Sequence, residues 1–267
     1  MKYDNILFEI SEGVATLTLN RPESRNVITS AEMVAEFEDA LARVNADMSV
    51  MALIITGADP AFSAGGNVKE MARKTGMFAG TPAEIEENYK KYVQRIPLAV
   101  QRVEIPTIAA VNGPAIGAGC DLALMCDMRV ASEKARFGET FLSVGLIPGD
   151  GGAWFLPRVV GMARACELTF TADVIDGQTA LEMGMVNYLV PHDQLLVKAN
   201  QIAAKIAAKP PGALRLAKKL LYMGQQVSLQ ELLDQSAAFQ ARCHHTEDHL
   251  EALAAMFEKR PPKFKGR

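Results

Sequence analysis

With 267 residues, 49% of them apolar and 22% charged, the chain is long enough to bury one large core and too apolar to stay disordered. A net charge of −3 gives no electrostatic basis for a nucleic-acid partner, and four cysteines without a C-x-x-C pair exclude a disulfide scaffold and the common zinc and redox motifs. No run reaches the roughly 18 apolar residues that cross a bilayer, and the opening MKYDNILFEISEG has no signal-peptide core, so a cytoplasmic protein with no membrane partner is expected.

Within residues 5–19, NILFEI and VATLTLN are joined by Ser11-Glu12-Gly13 and have the β-branched content and tight turn of a hairpin, which Arg21-Pro22-Glu23-Ser24 ends. Thr29-Ser30-Ala31-Glu32 has the form of a capping box, after which Met33, Val34, Phe37, Ala40, Leu41 and Val44 recur at helical spacing. MALIIT (51–56) is a continuous apolar run and predicts a buried strand, followed by the loop GADPAFSAGGN. Thr81-Pro82-Ala83-Glu84, a second capping box with proline at the first helical position, predicts a long helix to about Val103. Buried strands are expected again at TIAAV (107–111) and DMRVAS (127–132), with the glycine loop and apolar helix NGPAIGAGCDLALMC between them. Such alternation predicts crossover connections and parallel strands. From about Gly151 the pattern is helical apart from MVNYLV (185–190). Pro210-Pro211 separates a helix over 192–208 from one starting near Gly212, and a last helix is predicted from Leu229 to Phe257. The tail RPPKFKGR is basic, proline-broken and expected to be extended.

Two glycine-containing loops follow predicted strands, Ala61 to Asn67 and Asn112 to Gly119, and each leads into a helix. Each therefore places free backbone N–H groups and the positive end of a helix dipole at a strand's C-terminal edge. Neither is a phosphate loop, since G-x-x-x-x-G-K-[ST] and a Rossmann G-x-G-x-x-G are both missing, and no G-x-S-x-G elbow exists. Taken singly they read as ordinary turns. As a pair, two small residues, Gly66 and Ala118, can each offer an amide to one carbonyl oxygen and form an oxyanion hole. Asp121, three residues beyond Ala118, reads either as a helix-start carboxylate or as an acid–base group near that oxygen.

NRPESRNVIT, AFSAGGNVKEM, AAVNGPAIGAGCDLALMCD and ARFGETFLSVGLIPGDGGAWFLPRVVG together resemble the crotonase superfamily, the enoyl-CoA hydratases and isomerases, in order along nearly the whole chain. The resemblance implies an α/β fold, a spiral of ββα units with a helical C-terminal region. An α/β core would span 1–190, and a helical region at 191–267 would serve oligomerisation and part of the substrate pocket. It implies acyl-CoA thioester substrates, a homotrimer or a hexamer of two trimers, and no cofactor beyond the CoA that arrives with the substrate. The oxyanion amides fall on Gly66 and Ala118. The strip Ala64, Gly65, Gly66, Asn67, Val68 and Lys69 falls where such enzymes hold CoA, and Gly117 and Phe141 fall beside the acyl group.

The pattern also departs from the family. Its two hydratase glutamates fall on Asp121, shorter by a methylene, and on Phe141, which carries no proton. Glu139 and Asp150 are the nearby carboxylates that could substitute, Asp150 lying one residue past Gly149, where the isomerase branches carry an acid. Asp150 reads equally as a cap for the GGAWFL helix, and Glu139 more readily as a solvated or salt-bridged surface residue. Hydration or double-bond isomerisation of an enoyl-CoA is therefore expected, with Asp121 as the principal acid–base group, Asp150 or Glu139 as a second, weaker participant, and Phe141 and Phe62 keeping the pocket dry; a catalytically weak acyl-CoA binder is the alternative. His245 and His249 share a predicted helix face but lack a metal motif, and Cys120 and Cys126 read as buried apolar groups. The cationic tail, Lys259, Arg260, Lys263, Lys265 and Arg267, is either solvated or a partner for CoA phosphates.

Overall fold

The computed structural model describes residues 3–266. In chain order the described elements are Ile6–Ser11 (β1), Val14–Leu19 (β2), Ala31–Ala46 (α1), Ala52–Gly57 (β3), Val68–Arg73 (α2), Pro82–Lys91 (α3) and Arg95–Gln101 (α4). Thr107–Val111 (β4), Pro114–Ile116 (β5), Ala118–Met125 (α5), Met128–Ser132 (β6) and Arg136–Gly138 (β7) follow. Then come Gly152–Thr171 (α6), Val174–Asp176 (β8), Gly177–Glu182 (α7), Tyr188–Val190 (β9), Leu195–Ala207 (α8), Pro211–Met223 (α9), Leu229–His244 (α10) and Glu247–Glu258 (α11).

The hairpin β1–β2 turns on Glu12 and Gly13, both at positive φ, as a two-residue turn matched to strand twist requires. From β2 onward the large sheet is parallel, in the order β1-β2-β3-β4-β6-β9. A smaller sheet runs β5-β7-β8. Each turn of the chain lays one strand in the large sheet, a short segment in the small one and then a helix: β4, β5, α5 and next β6, β7, α6. This is the expected spiral of ββα units. Burial on both faces explains the unbroken apolar run of β3. Leu53 and Ile55 join the main core with α1 and α5, while Ala52 and Ile54 pack against Leu195, Ala199 and Ala203 of α8. From α9 on, the chain is helical to the tail.

Several local expectations need correction. The first helix is capped by Ser30, whose hydroxyl accepts from the Met33 amide, so Thr29 is not its cap and the box with Glu32 does not form. The second box does form, Thr81 with Glu84, but the helix ends at Lys91 and restarts at Arg95. Pro97 has no N–H for the Val93 carbonyl and its ring would collide with it, so the proline is accommodated only in the first turn of a new helix. Strands β5, β7 and β8, of three residues each, were not anticipated, being too short to show a period. The last helix is likewise two. Thr246 accepts from the His249 amide and starts α11, a capping signal hidden inside a periodic run.

Candidate active site

Two loops at the C-terminal edges of β3 and β4 are fastened to each other. The Ser63 amide donates to the Pro114 carbonyl at 3.1 Å, and the Ile116 amide donates back to Ser63 at 3.0 Å. Asn26, fully buried and at positive φ, holds the first loop from behind: its Nδ2 donates to the carbonyls of Ala58 and Ala61, each at 2.7 Å. The second loop is anchored where the Gly117 amide meets the Gly138 carbonyl at 2.8 Å. Gly65, at φ +73°, lets the loops touch, since a Cβ there would lie 2.5 Å from the Ile116 oxygen and 2.8 Å from the Ala118 nitrogen. The amides of Gly66 and Ala118 are left with no acceptor among the described residues.

Both amide-bearing residues line one cavity of about 90 Å³. Met77, Phe78, Val93, Phe141 and Leu146 give it apolar walls, and Thr29, Tyr89, Thr140 and Asp150 supply its polar side chains. Asp150 lies in the turn before α6 and is the only carboxyl on the wall among the described residues. It does not cap α6, because the cap position is Gly151 and Asp150 Oδ1 is buried without a donor. Burial, with the charge of Glu139 second, lifts its pKa to about 6.

Behind that wall stand Asp121, on α5, and Glu139, just after β7, with 0% and 1% of their surface exposed. Neither lines the cavity. Glu139 is thus not the solvated surface residue expected, because the buried β7 residues Phe137 and Gly138 carry it inward. The Asp121 carboxyl is held well above the usual range by burial first and then by Glu139. Glu139 is raised by burial, against which the neighbouring Asp121 and Cys120 favour its ionised form.

Of the other expected residues, Ala64, Val68 and Gly117 also border the cavity, whereas Gly65, Asn67 and Lys69 do not. Asn67 instead caps α2 through Oδ1. Phe62 is packed in the main core rather than on the cavity wall. Thr29 was missed: its buried hydroxyl has no partner and it borders the cavity, but its S/T-x-x-E spacing pointed to a helix cap. His244 and His249 face each other at 3.1 Å across the α10–α11 break, while His245 ends α10, so 245 and 249 do not share a helix face. No cluster of three or more potential ligands suited to a metal occurs among the described residues. Cys120 and Cys126 are buried thiols. In the tail, Arg260 pairs with Glu251 and Glu258, and the amides of Lys265 and Gly266 donate to Asp248; Arg267 lies outside the described residues.

A sequence model of the family described as Enoyl-CoA hydratase/isomerase matches residues 9–267. The chain belongs to this family. Among its relatives, the crotonyl-CoA hydratase of Syntrophomonas wolfei is 37% identical over 99% of both chains. The 2,3-dehydroadipyl-CoA hydratase of Escherichia coli is 38% identical over 95% of this chain and 96% of the relative. The crystal structure of an enoyl-CoA hydratase from Bacillus anthracis superposes with a TM-score of 0.92 at 36% identity, over 99% of this chain and 100% of that one. The enoyl-CoA hydratase/isomerase reading and the crotonase fold therefore stand, and an acyl-CoA binder without chemistry is not favoured. Against this family background, the distinctive feature of the chain is a cavity wall with Phe141 and Asp150 on it and two further carboxyls buried behind.

Proposed function

We propose that the chain adds water across the double bond of a 2-enoyl-CoA, with the amides of Gly66 and Ala118 holding the thioester oxygen. The observation that carries this reading is one cavity bordered by two partnerless amide donors from separate loops and by a single carboxyl, Asp150. Negative charge gathers on the thioester oxygen when the β-carbon is attacked, and preorganised amides stabilise it at the moment it forms. A carboxyl with a pKa of about 6 is divided between its two forms near neutrality. It can take a proton from water and return one to the α-carbon, the two duties a hydratase must discharge. In this reading Asp121 stands one layer behind the reacting atoms, and Ala64 and Val68 border the path of the CoA arm.

One observation favours a second reading. Phe141 puts an apolar ring on the wall where a second acid would serve hydration, which suits a single carboxyl moving a proton between the α- and γ-carbons. Product analysis on 2-enoyl- and 3-enoyl-CoA in heavy-oxygen water and in heavy water separates the two. Incorporated solvent oxygen supports hydration, deuterium exchange with double-bond migration alone supports isomerisation, and the absence of both overturns the proposed chemistry. The reading requires no cofactor other than substrate CoA. It takes the chain as a cytoplasmic homotrimer or a pair of trimers, supported by the exposed apolar side chains Phe170, Leu250, Met256 and Phe257. No helix of the described residues is long and apolar enough to cross a membrane.

A further inference from the structure

We propose that Glu139 is a positioning residue: it accepts a hydrogen bond from a proton kept on Asp121, carries the single negative charge of that pair, and places this charge behind the cavity carboxyl Asp150. The inference rests on the reading of Asp150 as the cavity's acid–base group.

Asp121 and Glu139 converge from different elements on the Cα of Gly152, the first residue of α6. A Cβ at that position would strike Asp121 Oδ1 and lie 2.9 Å from Glu139 Oε2, so the two carboxyls approach one glycine from adjoining directions. All four of their oxygens are buried, and none has a donor within hydrogen-bonding geometry. Two carboxylates, both acceptors, cannot satisfy each other. Two ionised groups so placed, without a cation, would repel in a low-dielectric interior, whereas a proton on one makes it the donor the other lacks.

The surroundings decide which group keeps the proton. The neighbouring Cys120 thiol favours charge on Glu139 against the cost of its burial. Asp121, wholly buried, is held well above the usual carboxylate range, by burial first and by Glu139 second. The titratable groups facing the cluster are therefore Cys120 from α5, Asp150 from the turn before α6, and Tyr89 from α3 beyond Asp150. No lysine, arginine or histidine pairs with any of the three carboxyls among the described residues. With its proton committed to Glu139, Asp121 is no base, and proton transfer at the cavity falls to Asp150, whose ionisation the Glu139 charge opposes.

The test is the pH dependence of kcat/KM on an enoyl-CoA for the full chain and for Glu139→Gln. Removing the charge should move the acidic limb down by about one pH unit, roughly a fivefold gain at pH 5 relative to each protein's own plateau. A Glu139 that only supports the fold would lower the plateau or the melting temperature and leave the limb where it was. An unmoved limb overturns the proposal. Infrared spectroscopy reads the proton without turnover, and so also serves if the acyl-CoA reading fails or Glu139→Gln does not fold. At pH 8 a buried carboxylic-acid C=O band should be present in the unaltered protein and absent from Asp121→Asn. No band in the unaltered protein, or a band that survives in Asp121→Asn, overturns it as well.

Discussion

Burial raises Asp150 from the ordinary aspartate value of 3.8 to about 6, with the charge of Glu139 adding to the effect. A carboxyl whose folded pKa lies above its unfolded one favours the folded state most when protonated. Its contribution is complete below pH 3.8 and is lost as pH rises through about 6. Asp150→Asn should therefore raise stability at pH 8 by about 1–3 kcal/mol, with the gain vanishing near pH 4, as urea titrations at the two pH values would show. The same change should lower kcat about 10²–10⁴-fold while leaving CoA affinity nearly intact, and a variant that keeps its rate would remove Asp150 from the chemistry. Asn26 shows the opposite use of a buried polar group, since its amide satisfies two loop carbonyls in the interior. Asn26→Ala strands the Ala58 carbonyl and leaves that of Ala61 only the 3.3 Å bond from Asn112 Nδ2, and a loss of about 2–4 kcal/mol in chemical denaturation is expected.

Loops and caps, rather than whole strands, position the chemistry at the scale of elements. The turn after β3 and the β5–α5 junction present their amides together only because Gly65 permits backbone contact at positive φ. In Gly65→Ala the new methyl meets main-chain atoms of Ile116, Ala118 and Gly119 in the second loop, so the loops must part. Kinetics on an enoyl-CoA should then show kcat/KM reduced by about 10²-fold, the usual cost of one oxyanion donor. An unchanged value would detach the two amides from catalysis. The break between α10 and α11 is a separate matter of capping. Thr246→Ala removes the hydroxyl that receives the His249 amide and should cost about 1 kcal/mol in thermal unfolding, with no change in turnover.

At the scale of the whole molecule, the spiral buries both faces of its large sheet and leaves apolar side chains exposed on the later helices, Phe257 to 77% and Phe170 to 72%. A monomer with such faces tends to associate, and light scattering should give three or six times the chain mass; a stable monomer at micromolar concentration would rule out the proposed assembly.

The residues by themselves determined the strand runs MALIIT and TIAAV, the hairpin, the capping box at Thr81 and the two glycine loops, since each depends on neighbours in sequence. They also marked Phe141 as a departure and Asp150 and Glu139 as possible replacements. Only the tertiary structure separated those two carboxyls, because whether a side chain meets a cavity or another carboxyl depends on what α5, β7 and α6 bring from distant parts of the chain. The same holds for Thr29, whose local spacing points to a cap although its hydroxyl is left without a partner, and for Asn26, whose partners Ala58 and Ala61 lie far along the chain. Local pattern encodes backbone preference; burial and charge are properties of the assembled interior, and they decide which of three similar acids can lose its proton.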